Sequence, residues 1–233
     1  MLGLGTTLTT AKTKNVRHYN NWSLDFAGDD DIVNFGNVHN LGDTTDFSIS
    51  VWFKRDNSGV HTLLGKEQDT DNRWRIYTSS NESITFEAST SRTKRIDYVT
   101  NATAIADNTT DWNHILVAVD RNNAGGSGMW VNGSAVTLAT ETETGIGVDI
   151  DNTGDFTIGG VGSSFTNGQI TDVTIWNIAL NGASSEKDVA ILRDGKTGVG
   201  NATPADLMGK EGLVSWYRLG DDDTYPTIRD KVG

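Results

Sequence analysis

The chain alternates apolar and polar residues in short runs separated by turn residues. In residues 47–54, FSISVWFK, the side chains of Phe47, Ile49, Val51 and Phe53 share one side and the serines lie on the other. Alternation with a period of two is the pattern of a β-strand with one buried face. Similar runs recur about every ten residues between Gly, Asn and Asp, which predicts an all-β antiparallel sandwich.

The predicted strands are short and follow one another along most of the chain: 22–26, 32–35, 47–54, 61–66, 73–78, 83–87, 94–98, 112–120, 129–131, 135–138, 156–160, 168–180 with its closing turn, and 213–219. Asn132-Gly133 predicts a tight hairpin. The acidic, Gly-containing stretch 140–150 predicts a loop.

Three segments outside the strands have other predicted structures. Apolar spacing predicts a short C-terminal helix from Gly182 or Ala183 to Arg193, and Thr203-Pro204 predicts a helical turn that runs to Leu207. Residues 1–20 are polar and Thr-rich, which indicates an N-terminal arm or a frayed terminus beside one domain over residues 21–233.

Three segments together carry a family resemblance: residues 22–35 (WSLDFAGDDDIVNF), 47–54 (FSISVWFK) and 168–180 (GQITDVTIWNIAL). In this order they resemble the laminin G-like domains of the concanavalin A-like lectin and glucanase jelly rolls, over roughly residues 22–193. The resemblance implies an antiparallel jelly roll that ends in a short helix. It implies much less about function, because one fold hosts many activities.

Composition narrows the classes of partner. The net charge of −12 over 233 residues argues against nucleic acid or an anionic membrane as the main partner. No apolar run approaches the ~18 residues of a membrane span, and the start lacks the basic and apolar regions of a signal peptide. There is no Cys, and a basic partner, a neutral glycan or a divalent cation remains open.

Three adjacent carboxylates follow the first predicted strand, in Gly28-Asp29-Asp30-Asp31. Aspartate favours turns and also ligates Ca²⁺, so both interpretations are open from the residues alone. In relatives a structural ion joins this turn to the closing strand. The resemblance therefore implies a structural Ca²⁺ held by Asp29, Asp30, Asp31 and Asp172.

The sequence predicts no enzyme. Glycosidases with this jelly roll carry an E-x-D-x-x-E strand that supplies a nucleophile and an acid. The nearest approach is Glu141-Thr-Glu143, which lacks the third carboxylate. The four histidines show no H-E-x-x-H spacing either.

Two functional interpretations remain open. The segment 216–230, WYRLGDDDTYPTIRD, resembles a sequence motif in laminin G-like proteins of bacteriophages. It favours a virion structural protein of the head decoration, tail or fibre, assembled in bacterial cytoplasm. Its partners would be other virion proteins or itself, for instance as a trimer, and it could also attach to host glycans.

The alternative is a free calcium-dependent carbohydrate-binding module. Aromatic side chains that stack on sugar faces would then be exposed. The candidates are Trp74, Tyr77 and Trp130. Burial of these three residues in the core is the competing interpretation.

Overall fold

Two seven-stranded antiparallel sheets and a two-stranded ribbon build the described part of the protein. The computed structural model describes residues 22–42, 44–105, 111–123, 125–181, 207, 209–220, 223–224 and 227–232. The predicted arm 1–20, the predicted helix up to Arg193 and the turn that begins at Thr203 lie outside the described residues, apart from Leu207, which is helical. The predicted antiparallel sandwich is confirmed.

Sheet A contains seven strands, and β15 has neighbours on both sides. Its first half pairs with β1 and its second half with β16, while β3 runs along its other side. From β3 the order continues through β8 and β9 to the edge strand β10. The strands are β1 (Leu24–Ala27), β3 (Phe47–Arg55), β8 (Asn113–Val119), β9 (Gly128–Val131), β10 (Ser134–Ala135), β15 (Asn167–Trp176) and β16 (Leu213–Tyr217).

Sheet B has the order β11-β7-β6-β5-β4-β12-β2. Its strands are β2 (Val33–Asn34), β4 (His61–Asp69), β5 (Asn72–Thr78), β6 (Ile84–Thr90), β7 (Lys94–Thr100), β11 (Leu138–Thr142) and β12 (Asp155–Ile158). The ribbon of β13 (Gly160–Val161) and β14 (Ser164–Phe165) follows β12.

The main core lies between the two sheets. On β3 the alternation places Ile49, Val51 and Phe53 in this core, all fully buried. Phe47 of sheet A meets Phe86 of sheet B with ring centroids 5.9 Å apart. Burial of these apolar faces provides the main driving force for folding, at roughly 25 cal/mol per Å².

A second, smaller core covers the outer face of sheet A. It contains Leu116, Trp176, Leu180, Leu207 and Trp216, of which Leu180 and Leu207 come from segments that follow β15. As a result β8 is buried along its whole length and on both faces. The outer face of sheet B carries no apolar cluster of this kind among the described residues, and only the β13–β14 ribbon packs on it, where Thr62 Oγ1 donates to Ser164 Oγ.

The chain changes sheets between β10 and β11. The sequence predicts one strand over residues 135–138 and a loop over 140–150, and both predictions need correction. Ala135 pairs with Trp130 in sheet A, whereas Leu138 pairs with Thr100 in sheet B. Val136 and Leu138 both pack on the core, so their alternation looks like a single strand. The Asn132-Gly133 hairpin is confirmed, since both residues have positive φ, 48° and 73°.

Candidate functional site

A groove of about 740 Å³ opens where the chain crosses from sheet A to sheet B. Its lining comes from β9 and from Asp120, Asn123 and residues 125–127 of the loop before it. The crossing from Ala135 to Leu138, Glu141 of β11 and Asn181 complete the lining. The site lies at the edges of the two sheets, where loops rather than packed strands determine its shape.

Trp130 provides the aromatic surface of the groove. Its neighbours Met129 and Val131 point into the core, so the indole points outwards, where it packs at the margin of the second core and is half-buried. A Cβ added at Gly128 would lie 3.1 Å from Cη2 of Trp130. The missing side chain at Gly128 therefore makes room for the six-membered ring. The opposite neighbour across the hairpin is the small, exposed Ala135.

The loop that faces Trp130 is held by its own hydrogen bonds. The Asp120 amide donates to Ser127 Oγ at 3.0 Å, and the Gly126 amide donates to the Asn123 carbonyl at 2.9 Å. Asn181 Nδ2 donates to the Gly126 carbonyl from the other side. A site held in this way loses little conformational freedom when a ligand binds.

The polar lining of the groove is rich in hydrogen-bond acceptors and acidic. It consists of Asp120, Asn123, Ser127, Thr137, Glu141 and Asn181. No lysine, arginine or histidine is among the described residues that line it. The groove thus offers an apolar ring face beside carboxylate, amide and hydroxyl groups, and repels anions.

Glu143 does not act with Glu141 in this groove. Its Oε1 accepts a hydrogen bond from the Tyr98 hydroxyl at 2.7 Å, and its Oε2 accepts one from the Gly125 amide at 2.8 Å. Burial of Tyr98 raises the pKa of its hydroxyl, which keeps the proton that it donates. Glu143 therefore stabilises the loop, and only Glu141 is left exposed towards the groove.

Trp74 and Tyr77 lie elsewhere, and the prediction of Trp74 as a sugar platform is wrong. Trp74 is 1% exposed and stacks on Phe156 in the main core, with ring centroids 5.7 Å apart. Tyr77 is half-buried on the outer face of sheet B, where the guanidinium carbon of Arg75 lies 4.7 Å from its ring centroid. The three aromatic residues therefore do not form one site.

Around Tyr77, charged residues of opposite sign pair across neighbouring strands. Glu87 Oε1 lies 2.6 Å from Arg73 Nε and 2.9 Å from Arg75 Nε. On the next strand Arg95 pairs with Asp97 at 2.7 Å. Acids therefore neutralise these three arginines, which makes this part of the face a poor site for an anionic ligand.

The predicted calcium ligands are divided between the two ends of β1, so this prediction is also corrected. The register pairs Ala27 with Asn167 and Leu24 with Ile170, which places the turn of Asp29, Asp30 and Asp31 beyond one end of the strand. Asp172 lies beyond the other end, where Thr171 Oγ1 donates to the Trp22 carbonyl. Six or more residues along the strand direction, at ~3.3 Å each, separate Asp172 from the acidic turn, a distance of about 20 Å. The described residues contain no group of three or more metal-ligating side chains.

Asp172 has a structural role instead. It occupies a β-bulge in β15 with φ 46°, a conformation that Asp tolerates better than most residues. Its Oδ1 accepts a hydrogen bond from Trp216 Nε1 at 3.0 Å and lies 3.4 Å from Arg218 Nε. At the acidic turn, Asp31 Oδ2 accepts from the Ala27 amide, while Asp29 and Asp30 are exposed.

Sequence reasoning missed the loop that completes the groove. The stretch 121–130, RNNAGGSGMW, places three glycines among the five residues before Trp130. A Gly-rich loop that ends on an aromatic residue is a signal of close packing around that residue. This signal was available, but neither Asp120 nor Ser127 was predicted as a site residue.

The fold and these segments match a known family. A laminin G-type family model, described as the concanavalin A-like lectin/glucanases superfamily, matches residues 27–184. The chain belongs to this superfamily. A search of curated proteins found no significant match to the sequence.

Solved structures with the superfamily's sandwich are similar over most of the chain. A heptameric SAP-like pentraxin from Limulus polyphemus is 14% identical with a TM-score of 0.53, and the match covers 91% of this chain and 92% of that one. A putative carbohydrate-binding protein from Bacteroides ovatus is 19% identical with a TM-score of 0.53, covering 90% and 56%. A sialidase CBM40 from Ruminococcus gnavus, bound to α2,6 sialyllactose, is 11% identical with a TM-score of 0.52, covering 72% and 95%. At these identities the likeness establishes the fold.

Within the described residues, no helix has the length and apolar character needed to cross a membrane.

Proposed function

We propose that this superfamily member binds a neutral carbohydrate, without catalysis, in the groove beside Trp130. The observation that carries the proposal is an outward-facing indole, supported by Gly128, in a preformed groove with acceptor groups on the facing loop. Ligand sites of this kind combine an apolar or aromatic wall with a few fixed polar groups. The sandwich fold shared with carbohydrate-binding proteins supports the proposal.

The chemistry of the lining favours a neutral sugar. The apolar face of a sugar ring stacks on an indole, and its hydroxyls donate to carboxylate oxygens. Asp120 and Glu141 provide such oxygens on two sides of the groove. The CBM40 neighbour is bound to a sialylated sugar, whose carboxylate would meet like charge here. Anionic glycans are therefore expected to bind poorly.

The test is titration calorimetry with neutral linear glucans, mannans and galactans, with sialyllactose as the anionic comparison. A neutral glycan is expected to bind, and Trp130→Ala is expected to weaken binding at least tenfold, about 1.4 kcal/mol. Tyr77→Ala is the matched control, because it removes an aromatic residue from the outer face of sheet B. Loss of binding in Tyr77→Ala with Trp130→Ala unaffected would move the site to sheet B, and absence of binding by all neutral glycans would refute the proposal.

Calcium dependence is a separate part of this proposal and rests on the family resemblance. The predicted ligands do not come together, so binding by the groove is expected to survive chelation. A titration repeated with EDTA and with added Ca²⁺ tests this. A loss of affinity with EDTA that added Ca²⁺ restores would favour the calcium-dependent module over the groove as described.

The role in a bacteriophage virion is proposed from the sequence alone. Support comes from the resemblance of residues 216–230 to phage laminin G-like proteins, and the trimeric state and the virion location stay predictions with it. Co-sedimentation of the purified protein with assembled phage capsids tests the role. Binding to capsids without any glycan signal would make the sandwich a structural scaffold.

A further inference from the structure

We infer that the groove continues past Trp130 into a second sugar subsite, so that the ligand is an internal stretch of a linear neutral polysaccharide. The inference rests on the proposed function of the groove and names its substrate class. Its support comes from a second, smaller cavity on the far side of the sheet crossing.

The second cavity adjoins the first. It has a volume of about 170 Å³, and its lining residues include Val136 and Thr137, which also line the main groove. Thr137 is exposed, whereas Val136 packs against the core. The two cavities therefore adjoin at Val136 and Thr137, and a sugar chain lying across the exposed Thr137 would reach both.

The far wall of the second cavity is the turn that follows β7. Its Asn101 amide donates to the Thr137 carbonyl at 3.4 Å, which ties the turn to the crossing. Thr103 and Ile105 donate backbone hydrogen bonds to the carbonyls of Asn81 and Glu82, which tie its other end to the loop before β6. The wall is thus fixed on both sides before any ligand arrives.

The lining of the second cavity suits one uncharged sugar ring. Ala102 and Ala104 are small and apolar, and Asn101 and Thr137 offer an amide and a hydroxyl. No charged residue lines this cavity in the part of the chain that is described. The acidic, aromatic main groove and this neutral pocket therefore form two unequal subsites.

The experiment measures affinity against chain length, using β-1,3-glucan, β-1,4-glucan, α-1,4-glucan and β-1,4-mannan oligosaccharides of two to six units. Affinity is expected to rise at least tenfold between the disaccharide and the tetrasaccharide of the bound series. Ala102→Glu fills the second cavity with a polar side chain at an exposed position. It should remove the gain with length and leave the disaccharide affinity unchanged, and Ala102→Ser is the control that should behave as wild type.

The outcomes separate this inference from the proposed function. Equal affinity for all lengths, with binding still lost in Trp130→Ala, would overturn the second subsite and leave the groove intact. A gain with length that persists in Ala102→Glu would also overturn it. Absence of binding at every length, or binding insensitive to Trp130→Ala, would refute the proposed function and this inference with it.

Discussion

The outer faces of the two sheets use the same alternating strands but end in opposite environments. On sheet A, the outward residues of β3 are Ser48, Ser50 and Trp52, all buried beneath other parts of the chain. On sheet B, the outward residues of β5 are Arg73, Arg75 and Tyr77, which form ion pairs and a cation–π contact at the solvent boundary.

The difference shows what a covered sheet face requires. Small hydroxyl residues satisfy one another under the cover, as Ser50 Oγ and Thr174 Oγ1 do at 2.7 Å, because unpaired buried polar groups are costly. On sheet B, Arg73 and Arg75 pair with Glu87 instead, and their side chains stay 20% and 17% exposed. Trp130 lies where the cover of sheet A ends, so it is partly packed and partly available. The margin of a covered face is therefore where a binding aromatic residue is both held and exposed.

The largest expected effect on stability comes from disrupting the second core, which covers the outer face of sheet A. Trp216→Ala removes a fully buried indole from the second core and one hydrogen-bond donor from Asp172. We expect the free energy of unfolding to fall by about 4–5 kcal/mol, at the upper end for Trp→Ala, as measured by urea denaturation. Val214→Ala on the same strand is the control, because Val214 is 41% exposed and should cost less than about 1 kcal/mol. Equal losses would mean that the second core does not hold the sheet.

The next effect concerns the buried charge under that cover. Asp172→Asn keeps an acceptor for Trp216 but removes the carboxylate charge that lies 3.4 Å from Arg218 Nε. Breaking a buried pair from one side is strongly destabilising, and we expect a loss of about 3 kcal/mol in urea. Asp25→Asn on the exposed part of β1 should change little. If Ca²⁺ stabilised the wild type and not Asp172→Asn, the residue would be a metal ligand and the ion-pair account would be wrong.

The orientation of Asp172 is a feature that the sequence does not predict. The closing strand is predicted from the apolar residues of 168–180 and their resemblance to the family's closing strand, and the pairing of β15 confirms it. The bulge at Asp172 adds one residue to the strand without a Gly or Pro to mark it, so the sequence does not reveal which way its carboxylate points. The calcium prediction placed Asp172 and the acidic turn together, while the register of β1 separates them.

For Trp74 and Trp130, the alternation of the sequence is sufficient to predict which side chain is buried. Trp74 alternates with Arg73 and Arg75, which places it on the buried face, whereas Trp130 stands between inward-facing Met129 and Val131. Burial of an aromatic residue follows from its phase in the strand rather than from its type. The shape of the groove could not be predicted, because it depends on where the chain crosses between sheets.

A third effect is acid sensitivity of the covered face. His114 packs beside Trp52, and neither of its ring nitrogens has a hydrogen-bond partner among the described residues. Burial lowers the pKa of His114 to about 3, from an ordinary value of 6.5. Between these two pH values the unfolded chain binds a proton that the folded protein does not, so stability falls as the pH decreases below 6.5.

The variant His114→Leu removes this titration. The stability of the variant relative to wild type should increase by about 2 kcal/mol between pH 7 and pH 5. Each pH unit below the unfolded-state pKa contributes up to about 1.4 kcal/mol to this increase. Urea denaturation at both pH values measures the change. Burial also lowers the pKa of His39, to about 4. Because His39 is present in both proteins, its contribution to the pH dependence cancels in the comparison. Parallel pH profiles would mean that His114 is reached by solvent and that the cover is incomplete there.

The smallest effect is expected on the open face of sheet B. Glu87→Gln removes the charge shared by Arg73 and Arg75, whose side chains are 20% and 17% exposed. The guanidinium groups still reach water, whereas the Glu87 side chain is only 8% exposed. We therefore expect a loss of about 1–2 kcal/mol, measured by urea denaturation, and less in 1 M salt, where charges are screened. Asp97→Asn, which faces the more exposed Arg95, should change stability by less than about 0.5 kcal/mol. A salt-independent loss comparable to that of Trp216→Ala would show that this face is desolvated too, and the contrast between the two sheets would fail.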